Sequence, residues 1–262
     1  MAIGVSTALF YPEYTECAVQ QLAEAGISEI EIFFNSQCEY ELDFCKKLKE
    51  ITDQYHINVV SAHAFCIVME PYLFNEYTRR RQDSEQVMRK LVQAASFMGA
   101  NYYTFHGNQL RATTPEFDFE EFGRLMSHYA DICGEYNMDL AWENVSWCQS
   151  SDPAFIKTAL AHIKSPHLKF TFDFKQAHRA HRQPEEYLEV MGERLVNVHI
   201  NDYDDTHDCL LPGRGTVDFA HYFELFSRMD YRGSYIIEVY RDNYQDFSEV
   251  LKAREFLLTF TQ

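Results

Sequence analysis

Six apolar or aromatic runs of this 262-residue chain carry, at or next to their C-terminal ends, a residue able to ligate a cation or move a proton. His63 follows "INVVSA", His106 follows "YYTF", Glu143 follows "DLAW", Asp173 follows "LKFTF", His199 sits inside "LVNVHI", and Glu238 follows "SYII". Each alone has an ordinary structural explanation, because a strand-end carboxylate often caps the next helix and a buried histidine is often a satisfied core residue. Six in register are harder to explain that way. Histidines and carboxylates converging on one place would repel or stay desolvated unless a cation or protonation compensated them. A divalent metal is the economical solution. Glu143, Asp173, His199 and Glu238 supply three oxygens and one imidazole nitrogen, a donor set suited to one Mn²⁺, Mg²⁺, Co²⁺ or Zn²⁺ ion with positions left for substrate oxygens.

Periodicity predicts the elements that must position these residues. Strand-like runs occur at 3–9, 29–34, 57–63, 102–106, 139–143, 168–173, 195–200 and 234–239. Segments of helical spacing lie at 15–25, 41–55, 82–98, 118–136, 153–163, 184–192, 218–228 and 246–260. The stretches "TPEFDFEEF" and "SSDPAF" give helices polar starts with proline near the first turn. Strand and helix alternating about eight times within about 250 residues predict an α/β fold, a (β/α)8 TIM barrel forming a single domain over residues 1–262. An open doubly wound sheet would carry a glycine-rich first turn, and "TALFYPEY" stands there instead. In a barrel, catalytic groups come from the C-terminal ends of several strands, which is where the six residues lie.

A formal charge of −17 repels phosphodiester backbones and anionic lipid surfaces, so a small-molecule partner is expected, with no nucleic acid and no membrane. No run approaches the roughly 20 apolar residues of a membrane span. The start "MAIGVSTALFYPEY" lacks the features of a signal peptide, so a cytoplasmic location is expected. Seven scattered cysteines, Cys17, Cys38, Cys45, Cys66, Cys133, Cys148 and Cys209, without a C-x-x-C pair, suit free thiols and argue against structural zinc held by cysteine. Assembly into homo-oligomers is left open.

The segments "SAH" at 61–63, "FHGN" at 105–108, "WENVS" at 142–146, "FTFDF" at 170–174, "VNVHINDY" at 196–203, "LPGRGTVDF" at 211–219 and "IIEVY" at 236–240 resemble the xylose-isomerase-like barrel superfamily of sugar isomerases, epimerases and inosose dehydratases. The resemblance covers nearly the whole chain. It implies a divalent-metal-dependent isomerase or epimerase of carbohydrates that works by proton transfer through a metal-stabilised enediolate. In ketose 3-epimerases of this family a Glu, Asp, His, Glu quartet holds the metal and the two glutamates move the proton. Carried over, Glu143, Asp173, His199 and Glu238 are the ligands, and Glu143 and Glu238 the acid–base pair. Two glutamates on opposite faces of the substrate permit epimerisation, whereas one can shuttle a proton for aldose–ketose isomerisation.

The sequence also departs from the ketose epimerases. Gln176, Gln149 and Asp205 stand where several of them have histidine, glutamate and arginine, which leaves the substrate open. An inosose-type dehydratase and a non-catalytic sugar-binding barrel are the alternatives. A zinc-dependent apurinic-site endonuclease relative is a third; His63 and His106 suit it, while Gln176, "LPGRGTVDF" and the charge of −17 weigh against it. His63 and His106 are expected to hydrogen-bond substrate, with a second metal or packing as other roles. Trp147, His178, Arg179 and Arg214 complete the expected substrate-binding set. The loop "FKQAHRAHR", 174–182, with Lys175, Arg179, Arg182, His178 and His181 and no acid, would suit an anionic group on the substrate. Trp142, Phe10 and Phe34 are read as core or pocket wall, like Tyr11 and Phe33, and Glu31 as facing either side of the barrel. "RRR" at 79–81 is read as a solvated stretch preceding a helix.

Overall fold

Eight short strands form where the periodicity places them: β1 (Ile3–Ser6), β2 (Glu29–Phe34), β3 (Asn58–Ala64), β4 (Tyr102–Phe105), β5 (Asp139–Glu143), β6 (Leu168–Asp173), β7 (Leu195–Ile200) and β8 (Ser234–Ile237). All neighbours pair in parallel in chain order, and β8 closes onto β1 to make a barrel. The computed structural model describes residues 3–64, 69–110 and 117–261; Cys66 and Pro115 lie outside them. Helices α1 (Thr15–Glu24), α2 (Leu42–Gln54), α3 (Glu70–Leu73), α4 (Thr78–Met98), α5 (Phe119–Glu135), α6 (Pro153–Leu160), α7 (Phe174–Arg179), α8 (Pro184–Met191), α9 (Phe219–Arg228) and α10 (Phe247–Leu258) join the strands.

Strand pleat decides which side chains enter the barrel. On β5, Trp142 is buried under α5, its ring 5.8 Å from Phe122 and 6.0 Å from Phe170 by centroids, while Glu143 turns to the other side. Burying one such aromatic stabilises the fold by about 1.5–3 kcal/mol. Register then levels the strand ends: Asp173 lies opposite His199, and His199 opposite Ile236. Neighbouring strands therefore deliver their polar ends to one layer.

Several boundaries differ from the sequence reading, and three of the differences have a clear local cause. β1 stops at Ser6, whose hydroxyl accepts the Ala8 N–H at 3.3 Å and starts a 3₁₀ turn, Thr7–Phe10. The basic stretch after β6 is helical as far as Arg179, because Asp173 caps α7 by accepting the Gln176 N–H at 3.1 Å and because Phe174 and Ala177 are buried. The arginines at 79–81 lie inside α4 rather than ahead of it. Cations are unfavourable in a first turn. Here Arg80 covers the Tyr72 ring at 5.6 Å and Arg81 reaches Glu121 at 3.6 Å. Among the described residues no helix is long and apolar enough to cross a membrane.

Candidate metal and active site

Glu143, Asp173, His199 and Glu238 converge at the C-terminal mouth, each offering a donor atom within 4.8 Å of the others. Glu143 Oε1 lies 3.2 Å from His199 Nδ1, and Glu238 Oε2 lies 3.3 Å from it. Buried amides hold this layer. Asn144 grips the Asp173 backbone, its Oδ1 accepting the N–H at 2.7 Å and its Nδ2 donating to the carbonyl at 3.0 Å. Asn201 Nδ2 donates to Asp173 Oδ1 at 3.1 Å and to the Glu238 carbonyl at 3.3 Å, tying β6 to β8 across β7.

Beneath the quartet lies Glu31, fully buried. Its carboxylate accepts the hydroxyls of Ser6, Ser61 and Thr104 at 3.2, 2.8 and 3.0 Å and stands 3.0 Å from His199 Nε2. The pleat question at Glu31 is thereby answered: the side chain faces inside. With Nε2 engaged below, His199 turns Nδ1 up to the carboxylates, the orientation that an outer carboxylate imposes on a ligand histidine.

Burial alone would push these carboxyls up. Against it, the charges of His199 and Lys175 hold Glu238 well below the usual range, and hydrogen bonds from His106, His199 and His63 do the same for Glu143. Burial would likewise lower His199, but Glu238 and Glu31 raise it well above an ordinary imidazole. Lys175 supplies the unexpected charge. Its ammonium, 2% exposed, is hydrogen-bonded to both Asp173 Oδ2 and Glu238 Oε2. Burial disfavours the ammonium, and those two carboxylates outweigh burial and hold it protonated.

His63 and His106 stand beside the quartet, their Nε2 atoms 3.0 Å apart and His106 Nε2 3.0 Å from Glu143 Oε2. With Glu143 they form a second set of donors close enough to share a cation. A cavity of about 280 Å³ opens above, floored by Glu143, Glu238, Lys175 and the two histidines. Tyr11, Phe33, Trp147 and Tyr240 wall it, with Gln176 at the rim. Phe10 and Phe34 belong to the core instead. Gln176 fastens one loop to the next, its Oε1 accepting the Ser146 N–H at 3.0 Å and hydroxyl at 2.8 Å.

The remaining cations of the expected substrate set lie outside that lining. Carboxylates meet them, most of these distant in sequence. Arg179 donates to the Tyr240 hydroxyl at 2.9 Å and stands 3.5 Å from Asp208. His178 stacks on Tyr203 with centroids 4.1 Å apart, 3.6 Å from Asp208. Arg182 reaches Asp152 at 3.2 Å and Glu186 at 3.5 Å, and Arg214 pairs with Glu249 at 2.5 Å. His181 is exposed. The "PGRG" segment winds around buried Asp202, which accepts the N–H groups of Gly213, Gly215 and Val217 at 3.0, 2.8 and 3.0 Å. A Cβ on Gly215 would come within 2.2 Å of the Tyr203 carbonyl oxygen, so only glycine fits. The acidic run after His199 thus shapes the β7–β8 loop.

The donor set fits a divalent cation: three buried carboxylates and one imidazole nitrogen, their donor atoms close enough to share one ion. A parallel barrel with histidines and carboxylates at its C-terminal mouth defines a (β/α)8 protein built around a polar, cation-ready centre. More specifically, residues 19–260 match the family described as xylose isomerase-like TIM barrel, and the chain belongs to that family. An uncharacterised protein of Methanocaldococcus jannaschii is 24% identical, the alignment covering 100% of this chain and 90% of that one. The crystal structure of a D-tagatose 3-epimerase-like protein superposes with TM-score 0.83 at 20% identity, covering 100% and 97% of the two chains. D-psicose 3-epimerase of Clostridium cellulolyticum with D-tagatose superposes with TM-score 0.80 at 14% identity, covering 100% of both chains.

Proposed function

We propose that this protein is a divalent-metal-dependent isomerase or epimerase of carbohydrates, with Glu143, Asp173, His199 and Glu238 holding one ion. The observation that carries the reading is that Glu143 and Glu238, from strands on different sides of the barrel, belong to the cation-binding set and also line the cavity. The structural likeness to a D-psicose 3-epimerase crystallised with D-tagatose supports it. A cavity of about 280 Å³ encloses a monosaccharide-sized ligand rather than a polymer.

When bound, the ion would polarise a carbonyl oxygen and acidify the adjacent C–H. Glu143 and Glu238 then do the proton work. One takes the proton from carbon, and the other returns a proton to the opposite face, inverting the centre; return by the same carboxylate to the neighbouring carbon gives isomerisation. Both are held ionised despite burial, so either can serve as the base, while the one that returns a proton must first take one up from a substrate hydroxyl or from solvent. His63 and His106 are placed to hydrogen-bond substrate hydroxyls, and Trp147, Phe33, Tyr11 and Tyr240 offer apolar faces to sugar C–H groups and exclude water.

Incubation of the Mn²⁺-loaded protein in D₂O with ketoses, their phosphates, inososes and hydroxypyruvate tests this. Deuterium incorporated at one carbon of a recovered or isomerised sugar is expected. Elimination of water from an inosose would assign a dehydratase instead, and binding without exchange in the whole panel would contradict an enzymatic role.

A further inference from the structure

Lys175 carries a charge that neither proton transfer nor cation binding by the quartet requires. Its position is built in, because its backbone N–H donates to Asn201 Oδ1 at 2.7 Å and its side chain is 2% exposed. The ammonium bridges Asp173 Oδ2 and Glu238 Oε2, on two of the four residues that make the cation-binding set. Asp173 has no alternative oxygen to offer. Its Oδ1 already accepts the Gln176 N–H at 3.1 Å and Asn201 Nδ2 at 3.1 Å, so the ammonium and a bound dication need the same Oδ2.

We propose that Lys175 is the metal's rival within the chain: a dication that enters the quartet displaces the ammonium from Asp173 and Glu238 into the cavity, where it faces substrate oxygens. Two cations cannot share one carboxylate oxygen in a buried site without strong repulsion. The cavity is the open side, since Lys175 already lines it, with Nζ 5.8 Å from the Tyr240 ring centroid. This arrangement keeps the buried carboxylates compensated before loading. It also delivers a positive charge to the substrate side that Arg179, Arg182 and Arg214, paired elsewhere, do not supply. The chemical class it favours is a sugar with an oxyanion or an acidified hydroxyl near the reacting carbon.

This inference rests on the metal-dependent reading, and two measurements separate their failures. The first is Mn²⁺ affinity of chelator-stripped wild type, Lys175→Met and Lys175→Gln, by competition with a fluorescent chelator. At least tenfold tighter binding in either variant is expected. The second uses the wild type alone: reductive methylation with formaldehyde and cyanoborohydride, read by peptide mass spectrometry. Lys175 is expected to be shielded in stripped protein and modified several-fold more on Mn²⁺ loading, with the exposed lysines unchanged. Wild type that binds Mn²⁺ while the variants bind no tighter, or Lys175 equally shielded after loading, overturns the rivalry and leaves the metal reading standing. No Mn²⁺ binding by any of the three overturns both, whereas binding by the variants alone supports the rivalry.

Discussion

His199 Nε2 lies 3.0 Å from Glu31 Oε2, with both side chains shut off from solvent, and this pair aims the opposite nitrogen at the carboxylates of Glu143 and Glu238. Three hydroxyls, from Ser6, Ser61 and Thr104, fix the carboxylate in turn. A histidine oriented in this way is a stronger ligand than a freely rotating one. Glu31→Gln is therefore expected to weaken Mn²⁺ binding about 10- to 100-fold while leaving the far-UV circular dichroism unchanged. Unaltered affinity, measured by isothermal titration, would remove Glu31 from the site.

Glu238→Gln separates chemistry from folding. Glu238 lines the cavity and faces Lys175 and His199, so the amide retains volume but loses both the proposed base and one proposed charged ligand. Turnover is expected to fall by about 10²–10⁴-fold, the usual contribution of a positioned acid or base. Wild-type deuterium exchange in a demonstrably metal-loaded variant would show that Glu238 does not move the proton.

Acid should destabilise the chelator-stripped protein through the same groups. Burial raises Glu143 and Glu238, but their cationic neighbours override it and hold both well below the usual carboxylate range. A carboxyl depressed in the folded state contributes stability that is present above its unfolded pKa and lost as pH falls through the folded value. Tm should therefore drop as pH is lowered from 5 to 3, and drop less in Glu238→Gln, which lacks one such carboxyl. An equal decline in both proteins would mean that Glu238 is not held in its charged form.

The strands and the strand-end residues were legible because each apolar run is short, bounded, and ends on a group that water or a ligand must satisfy. Glu31 was ambiguous because "EIEIFF" puts Glu29 and Glu31 on the same pleat parity. Parity with Phe33, which lines the cavity, was the signal that could have placed Glu31 inside. In the sequence Lys175 reads as part of a basic loop, since nothing local reveals that α7 starts directly after Asp173 and carries it inward. The charges of that loop are visible in sequence, as is the i,i+4 neighbour Glu186 of Arg182, but the partners Asp152 and Asp208 come to them only through the fold.

Thiol reactivity checks the packing independently of the site. Cys17 and Cys38 are exposed, whereas burial pushes the Cys45 and Cys209 thiols up to about 11 and raises Cys133 and Cys148 as well. At pH 8 a thiol of that kind is about one-thousandth thiolate and is also shielded. Iodoacetamide should therefore modify Cys17 and Cys38 well before the four buried cysteines, as read by peptide mass spectrometry. Cys209 reacting as fast as Cys17 would contradict the closed β7–β8 loop.

Anomalous diffraction at the manganese edge from crystals grown with Mn²⁺ tests the central claim most directly. The expected result is one strong peak at the barrel mouth, roughly 2.0–2.6 Å from donor atoms of Glu143, Asp173, His199 and Glu238. A protein fully supplied with Mn²⁺ that shows no peak there, or a peak held only by His63 and His106, would contradict the assignment.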